Sequence, residues 1–148
     1  MTLAPTPKRP KGFFPIGVFF FFGATMAAFA ALTLLHPGTF LDRAWRLNPS
    51  AHAQMLPLGR IVGAPFIVLA ITLFLAGVGW FQRRYWGWLL GVSVIAINLA
   101  ADITHFFLGD RLKSAVGVVI ASLLLLYLTR PAVRNYFMSY FDGGETGN

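Results

Sequence analysis

Four long apolar runs, separated by short clusters of charge, constrain the fold of this chain more than any other feature of its sequence. They extend over residues 13–35, 59–80, 86–108 and 114–129. At about 1.5 Å of rise per residue, such runs match the thickness of a bilayer core when they form α-helices. Helices are expected because an unpaired backbone group is costly in lipid, and because the runs are too uniformly apolar for barrel strands. The sequence therefore predicts an all-α integral membrane protein, built as a four-helix bundle.

Composition supports a membrane protein and limits the classes of partner that we expect for it. Hydrophobic residues make up 57% of the 148 positions and charged residues 11%, which is outside the range of ordinary soluble domains. The net charge of +7 comes from basic residues beside the apolar runs, and these residues form no separate basic domain. We therefore expect anionic lipid headgroups, and no nucleic acid, as the partner of this charge. The chain has no cysteine, which excludes disulfides and thiolate metal sites.

The first run also resembles a secretory signal peptide in two respects. Lys8, Arg9 and Lys11 precede it, and the letters AFA at 28–30 resemble a cleavage site. A signal peptide is therefore the alternative interpretation. Because the run exceeds the usual length of a signal-peptide core, we expect a retained membrane helix.

Basic residues between the runs predict the orientation of the helices. Seven lie on the side of the N-terminus and five on the other side. The seven are Lys8, Arg9, Lys11, Arg83, Arg84, Arg130 and Arg134, and the five are Arg43, Arg46, Arg60, Arg111 and Lys113. By the positive-inside rule, both termini are expected in the cytoplasm, with the chain in the cell membrane.

Aromatic residues flank the tight turn between the second and third runs. They are Trp80, Tyr85, Trp86 and Trp88. Tryptophan and tyrosine are enriched where a membrane meets water, so this pattern predicts an interfacial aromatic belt around a cytoplasmic hairpin.

The connection between the first two runs, residues 36–58, is much longer than the others. Some of its apolar residues can share one side of a helix: Phe40, Leu41, Ala44, Trp45 and Leu47. This pattern predicts a short helix that lies at the membrane interface. The predicted boundaries are then a basic cytoplasmic segment at 1–12, a four-helix transmembrane domain at 13–137 and a disordered polar tail at 138–148.

Small residues recur on the predicted helices and mark faces where two helices can approach closely. The glycines that we single out are Gly59, Gly63, Gly87 and Gly91. Such faces serve either packing within the chain or contacts with another subunit, and the sequence leaves both open.

The third run carries three polar residues, Asn98, Asp102 and His105, whose spacing of four and then three places them on one helical face. Asp102 follows Trp86 by about 24 Å of helix rise, which predicts a position in the outer leaflet. A carboxylate deep in hydrocarbon is costly, so we expect it to face the bundle interior. One interpretation is a ligand or ion site, and the other is a structural pairing of Asp102 with Arg60, Arg111 or His105.

The three histidines, His36, His52 and His105, all fall on the predicted outer side. Histidine with carboxylate can bind a divalent metal, and a pair of imidazoles can ligate haem, so these residues are weak metal or haem candidates. Their spacing matches no metal-site motif, and no nucleotide loop or nucleophile elbow is present. We therefore predict no catalytic residue, no enzyme activity and no cofactor.

Three stretches of the chain, WRLNPSAHAQM, RRYWGWLLGVSVIAINLAADI and LYLTRPAVRNYF, are similar to small, uncharacterised bacterial membrane proteins with four predicted transmembrane helices. The likeness covers most of the chain beyond the first run. It implies the four-helix architecture and no particular activity.

Three functional hypotheses follow from these patterns. Abundant packing surfaces and scarce chemical groups favour a non-catalytic membrane protein that self-associates or serves as an accessory subunit of a membrane complex. The second hypothesis is a small transporter or channel with Asn98, Asp102 and His105 in an outer-leaflet polar site. The third is a membrane protein that binds haem or a metal through its histidines.

Overall fold

The computed structural model describes residues 9–40, 43, 46, 49–50, 53, 57, 59–108 and 111–142. Five helices are described from end to end, and no strand occurs among these residues. The helices are α1 Phe13–Leu35, α2 Gly59–Phe81, α3 Tyr85–Leu108, α4 Arg111–Leu128 and α5 Pro131–Asp142. The first three predicted runs match α1, α2 and α3 to within one residue at each end.

Three of the described helices are long and apolar enough to cross a membrane by themselves. Their spanning segments are Phe13–Leu35, Ile61–Phe81 and Tyr85–Thr104. A fourth crossing results if Ser114–Leu128 and Pro131–Ser139, which meet at a bend of 52°, form one span. The predicted all-helical membrane protein is therefore confirmed, while the number of four spans stays a prediction.

The bend between α4 and α5 separates two helices, whereas the sequence analysis ended the fourth apolar run at residue 129. Pro131 has no N–H for a continuous helix, but its restricted φ angle suits the first position of a new one. The carbonyl of Arg130 accepts the N–H groups of Val133 and Arg134, both at 3.0 Å, and so begins α5. The helix continues to Asp142, past the predicted domain boundary at 137, because its buried residues recur at helical spacing.

The helices divide between two compact units, which we describe separately. The first unit comprises Met1–Val18 and Leu75–Asn148, and in it α3 packs along α4. Its large buried side chains come from all five helices: Phe13, Ile16, Trp80, Trp88, Ile95, Leu128, Val133, Tyr136 and Phe137. Trp80 and Phe137 are 0% exposed, so the aromatic residues of this unit form its core.

The second unit, Phe19–Phe74, consists of the remaining parts of α1 and α2 with their connection. The rings of Phe21 and Phe74 meet edge to face with centroids 5.5 Å apart. An open apolar groove of about 240 Å³ runs between the two helices, and Ala31 and Ala70 are among the residues that line it. Most of the large side chains on the outer faces of both helices are exposed and apolar, as expected for contact with lipid.

Three predicted features fall mainly or wholly on residues outside the described part of the chain. They are the interfacial helix within 36–58, the basic segment at 1–12 and the polar tail at 138–148. Within the first of these, Thr39 and Phe40 are exposed.

Candidate functional site

The polar residues of α3 do not share one environment. Asn98 is exposed and Asp102 is half-buried, although one turn of helix separates them. His105 lies in α3, but its side chain is outside the described part of the structure. The hydroxyl of Thr104 donates to the carbonyl of Ala100 at 2.9 Å, so it is engaged within its own helix.

Asp102 faces α4 and lies directly against Gly117. A Cβ atom on Gly117 would be 2.4 Å from Oδ2 and 2.8 Å from Cγ of Asp102. These distances are shorter than van der Waals contact, so the carboxylate occupies the space that the missing side chain leaves. The structure therefore places Asp102 at the contact between two helices, where a carboxylate can accept hydrogen bonds, hold a cation or carry a proton.

The partners predicted for Asp102 are placed only in part. Arg60 lies in α2 and Arg111 lies in α4, but their side chains, like that of His105, are outside the described part of the chain. Pairing of Asp102 with any of the three therefore stays a prediction.

Of the three histidines, only His36 has a side chain within the described part of the structure. His36 follows α1 and is exposed, and its backbone N–H donates to the carbonyl of Leu32 at 3.0 Å. His52 is outside the described residues. Within the described part of the chain, no group of three or more histidine or acidic side chains could hold a metal ion. Metal or haem binding stays a prediction.

Two of the four glycines singled out in the sequence lie where α1 and α2 pack in the second unit. A Cβ atom on Gly59 would be 3.1 Å from the carbonyl oxygen of Leu34. A Cβ atom on Gly63 would be 3.0 Å from Cγ of Leu35. Both glycines therefore permit a close approach of the two helices.

The other two glycines belong to α3. Gly91 is buried, and Gly87 lies against Gly79 of α2, directly across the hairpin. The sequence analysis did not single out Gly79. The signal was present, because Gly79 and Gly87 are equally far from the centre of the turn at Arg83, and residues at equal distances from a tight helical hairpin face each other.

Two of the four residues of the predicted aromatic belt belong to a buried core. Trp80 and Trp88 are buried, Tyr85 is half-buried, and Trp86 is exposed as a belt residue would be. This is a correction to the sequence analysis. The physical reason is that a tryptophan can be buried when its indole N–H finds an acceptor, and both buried indoles do so.

Three long-range hydrogen bonds tie this core together. Nε1–H of Trp80 donates to the carbonyl of Phe13 at 2.7 Å, and Nε1–H of Trp88 donates to the carbonyl of Leu128 at 2.9 Å. The hydroxyl of Tyr127 donates to the carbonyl of Lys11. Leu128 is the last residue of α4, where helix geometry leaves carbonyls without an intrahelical donor. Trp88 therefore satisfies an acceptor that the end of α4 exposes.

Residues at the two ends of the chain complete the aromatic core. The ring of Phe13 stacks on the ring of Trp80 with centroids 5.3 Å apart, and the ring centroid of Phe137 lies 4.7 Å from that of Trp80. Sequence reasoning missed this cluster because nothing in a single sequence shows that residues more than 120 positions apart meet. The only available signal was the apolar spacing of Val133, Tyr136 and Phe137, which repeats at helical intervals.

Comparisons of the chain with protein-family models, curated proteins and solved structures find no match. The similarity to small bacterial proteins of four predicted spans therefore stays a prediction. The structure itself shows an all-helical fold with three apolar helices of spanning length among its described residues, and a fourth crossing if the bent pair is one span. The chain is thus a helical membrane protein.

Proposed function

We propose that the chain is a non-catalytic multi-pass protein of the cell membrane, with both termini in the cytoplasm, that works by associating with another transmembrane helix. The partner helix belongs to a second copy or to a larger membrane complex. The observation that carries this proposal is an exposed surface on α3 that combines one polar residue with one small residue. Asn98 is exposed within a membrane-spanning helix, and Ala101, one turn further, is exposed as well.

A second helix accounts for both features of this surface. An amide exposed to hydrocarbon leaves its donors and acceptor unsatisfied, whereas a facing polar group on another helix can bond them. Small residues such as Ala101 let the two backbones approach. Gly87 and Gly117 already make close contacts within the chain, whereas Asn98 and Ala101 are exposed to a partner.

Self-association can be measured in liposomes by counting subunits per particle as the ratio of protein to lipid falls. Removing the amide in Asn98→Leu should weaken association roughly 3- to 30-fold, which corresponds to about 0.6–2 kcal/mol for a hydrogen bond between membrane helices. Ile97→Leu is the matched control, because Ile97 is an exposed neighbour without a polar group. That variant should associate like the wild type.

A wild-type chain that stays monomeric at every ratio would contradict self-association. The alternative of a complex subunit then predicts a partner that is retained on the tagged full-length chain from native membranes and lost with Asn98→Leu. Equal retention by Asn98→Leu and Ile97→Leu would refute a role for this surface altogether.

The position of Asp102, a half-buried carboxylate within an apolar helix, favours a second candidate function, a small transporter or channel. An oligomer could line a path with the carboxylates of several copies, which one narrow bundle cannot. In proteoliposomes, Asp102→Asn would then abolish proton or cation flux while the chain stays folded. Flux that is absent from the wild type, or unchanged in the variant, would exclude this candidate.

A further inference from the structure

Two arginines are held over neighbouring rings of the aromatic core, and we call them the arginine pair. The guanidinium carbon of Arg9 lies 5.1 Å from the ring centroid of Phe13. The guanidinium carbon of Arg83 lies 5.8 Å from the ring centroid of Tyr136. The rings of Phe13 and Tyr136 themselves meet edge to face at 5.8 Å. Both cations therefore lie over adjoining rings of the aromatic core.

Both rings are buried, which restricts where the two cations can lie. Phe13 and Tyr136 are 3% and 2% exposed, respectively. Phe13 is also stacked on Trp80, whose indole N–H donates to its carbonyl. A guanidinium on the face of a buried ring is held by the quadrupole of that ring and is less free to move into water.

Arg83 occupies a backbone position at which glycine is usual. The N–H of Arg83 donates to the carbonyl of Trp80 at 3.0 Å, and the N–H of Arg84 donates to the carbonyl of Gly79 at 2.8 Å. These two bonds form a Schellman motif at the end of α2, with Arg83 at φ +57° in the left-handed region. An arginine there costs free energy that glycine avoids.

The sequence segments before α1, after α2 and after α4 carry a positive surplus. Segments 1–12, 82–84 and 129–148 contain seven basic residues and two acidic residues, Asp142 and Glu145. The surplus remains whichever contacts those two acidic residues make. Arg9 stands four residues before α1 and Arg83 two residues after α2, so both lie at the depth where a spanning helix meets lipid headgroups.

We propose that the arginine pair, Arg9 and Arg83 over Phe13 and Tyr136, is a binding site for the phosphate of an anionic phospholipid headgroup. A guanidinium can donate two parallel hydrogen bonds to phosphate oxygens, and two guanidiniums at fixed positions suit a phosphodiester better than separate mobile charges do. The inference deepens the proposed function by naming its lipid partner, and it rests on the insertion of α1 and α2 in a membrane.

The test uses the full chain purified in a neutral detergent. Its thermal unfolding midpoint is measured with added phosphatidylglycerol, with phosphatidylcholine and with inorganic phosphate, and native mass spectrometry counts bound lipids. Phosphatidylglycerol should raise the midpoint by several degrees and saturate, because a ligand that binds only the folded state stabilises it. Phosphatidylcholine should have little effect. An equal rise with inorganic phosphate would overturn the assignment to a lipid headgroup.

Two double variants distinguish binding at the arginine pair from general attraction of anionic lipid to the positive charge of the chain. Arg9→Gln with Arg83→Gly removes the pair, and it should lose most of the lipid-induced shift while still folding, because glycine suits the left-handed position. Arg84→Gln with Arg130→Gln removes the same charge from exposed positions of the same unit and should keep most of the shift. Equal losses in both variants would overturn the proposal.

Should the glycine variant fail to fold, Arg83→Asn replaces it, since asparagine also tolerates the left-handed region. Self-association through Asn98 is measured in the same preparations. A wild-type chain that self-associates but shows no shift with phosphatidylglycerol contradicts this inference and leaves the proposed function standing. A wild-type chain that binds phosphatidylglycerol but does not self-associate contradicts only the proposed function.

Discussion

Gly79 and Gly87 bring the backbones of α2 and α3 into direct contact. A Cβ atom on Gly87 would lie 2.3 Å from the carbonyl carbon and 2.5 Å from Cα of Gly79. The atoms on the other side are backbone atoms, which cannot rotate away as the end of a side chain can. The hairpin between the two helices therefore requires glycine at both positions.

We expect Gly87→Ala to destabilise the fold by about 1–3 kcal/mol, the usual scale of overpacking, despite the better helix propensity of alanine. The free energy of unfolding in detergent micelles is the measurement. Gly23→Ala is the matched control, since its added methyl group would meet only the end of Leu73 at 3.3 Å. If both variants were equally stable, α2 and α3 would not be in backbone contact.

The bond from Trp88 to the carbonyl of Leu128 predicts a cost for losing the indole N–H. In Trp88→Phe the carbonyl at the end of α4 stays buried without this donor, so we expect a destabilisation of about 1–3 kcal/mol. Trp86→Phe is the control, because Trp86 is 42% exposed. Chemical unfolding of the two variants in the same detergent compares them, and a smaller loss for Trp88→Phe than for Trp86→Phe would contradict the bond.

The contact of Asp102 with Gly117 predicts that the two positions are energetically coupled. Gly117→Ala should destabilise the wild type by about 1–3 kcal/mol, because the new methyl group would displace the carboxylate. In an Asp102→Ala background the same change should be neutral or stabilising, since alanine favours helices and the space is empty. A double-mutant cycle measures this coupling. Additive effects of the two substitutions would mean that Asp102 points elsewhere.

Cysteine labelling can test the predicted orientation, since the chain has no native cysteine. Gln82 and Ser50 are exposed positions on predicted opposite sides of the membrane. An impermeant thiol reagent on intact cells should label Ser50→Cys and leave Gln82→Cys, Thr6→Cys and Gly144→Cys unlabelled. The converse pattern would reverse the orientation.

Sequence reasoning was most successful where a property depends on neighbours along the chain. The ends of α1, α2 and α3 could be read from runs of apolar residues, because the length of a spanning helix is set by bilayer thickness. The hairpin at Arg83 was predictable from the charged turn between two such runs. For α5 the local signal was ambiguous, because Pro131 can end one helix or begin the next.

The candidate site could be predicted only in part. The spacing of Asn98, Asp102 and His105 correctly placed all three in one helix, but it could not show that Asp102 lies on Gly117 while Asn98 is exposed. Helical periodicity gives the direction of each side chain relative to its own axis, whereas burial depends on which helix lies beside that direction. Arg9 and Arg83 could be counted among the basic residues of the sequence, but their positions over neighbouring aromatic rings could not be predicted from it.

The all-helical membrane fold and the positions of the long helices follow from the order of residues along the chain, because a backbone in lipid must form its hydrogen bonds internally over a fixed length. The burial of Trp80 and Trp88, the contact of Phe13 with Tyr136 and the contact of Gly79 with Gly87 depend instead on how the helices pack. Those contacts join residues that are distant in the chain or lie on different helices. They depend on how helices of similar apolar character pack. In lipid, the pairing of helices is set by shape and hydrogen bonds more than by hydrophobicity.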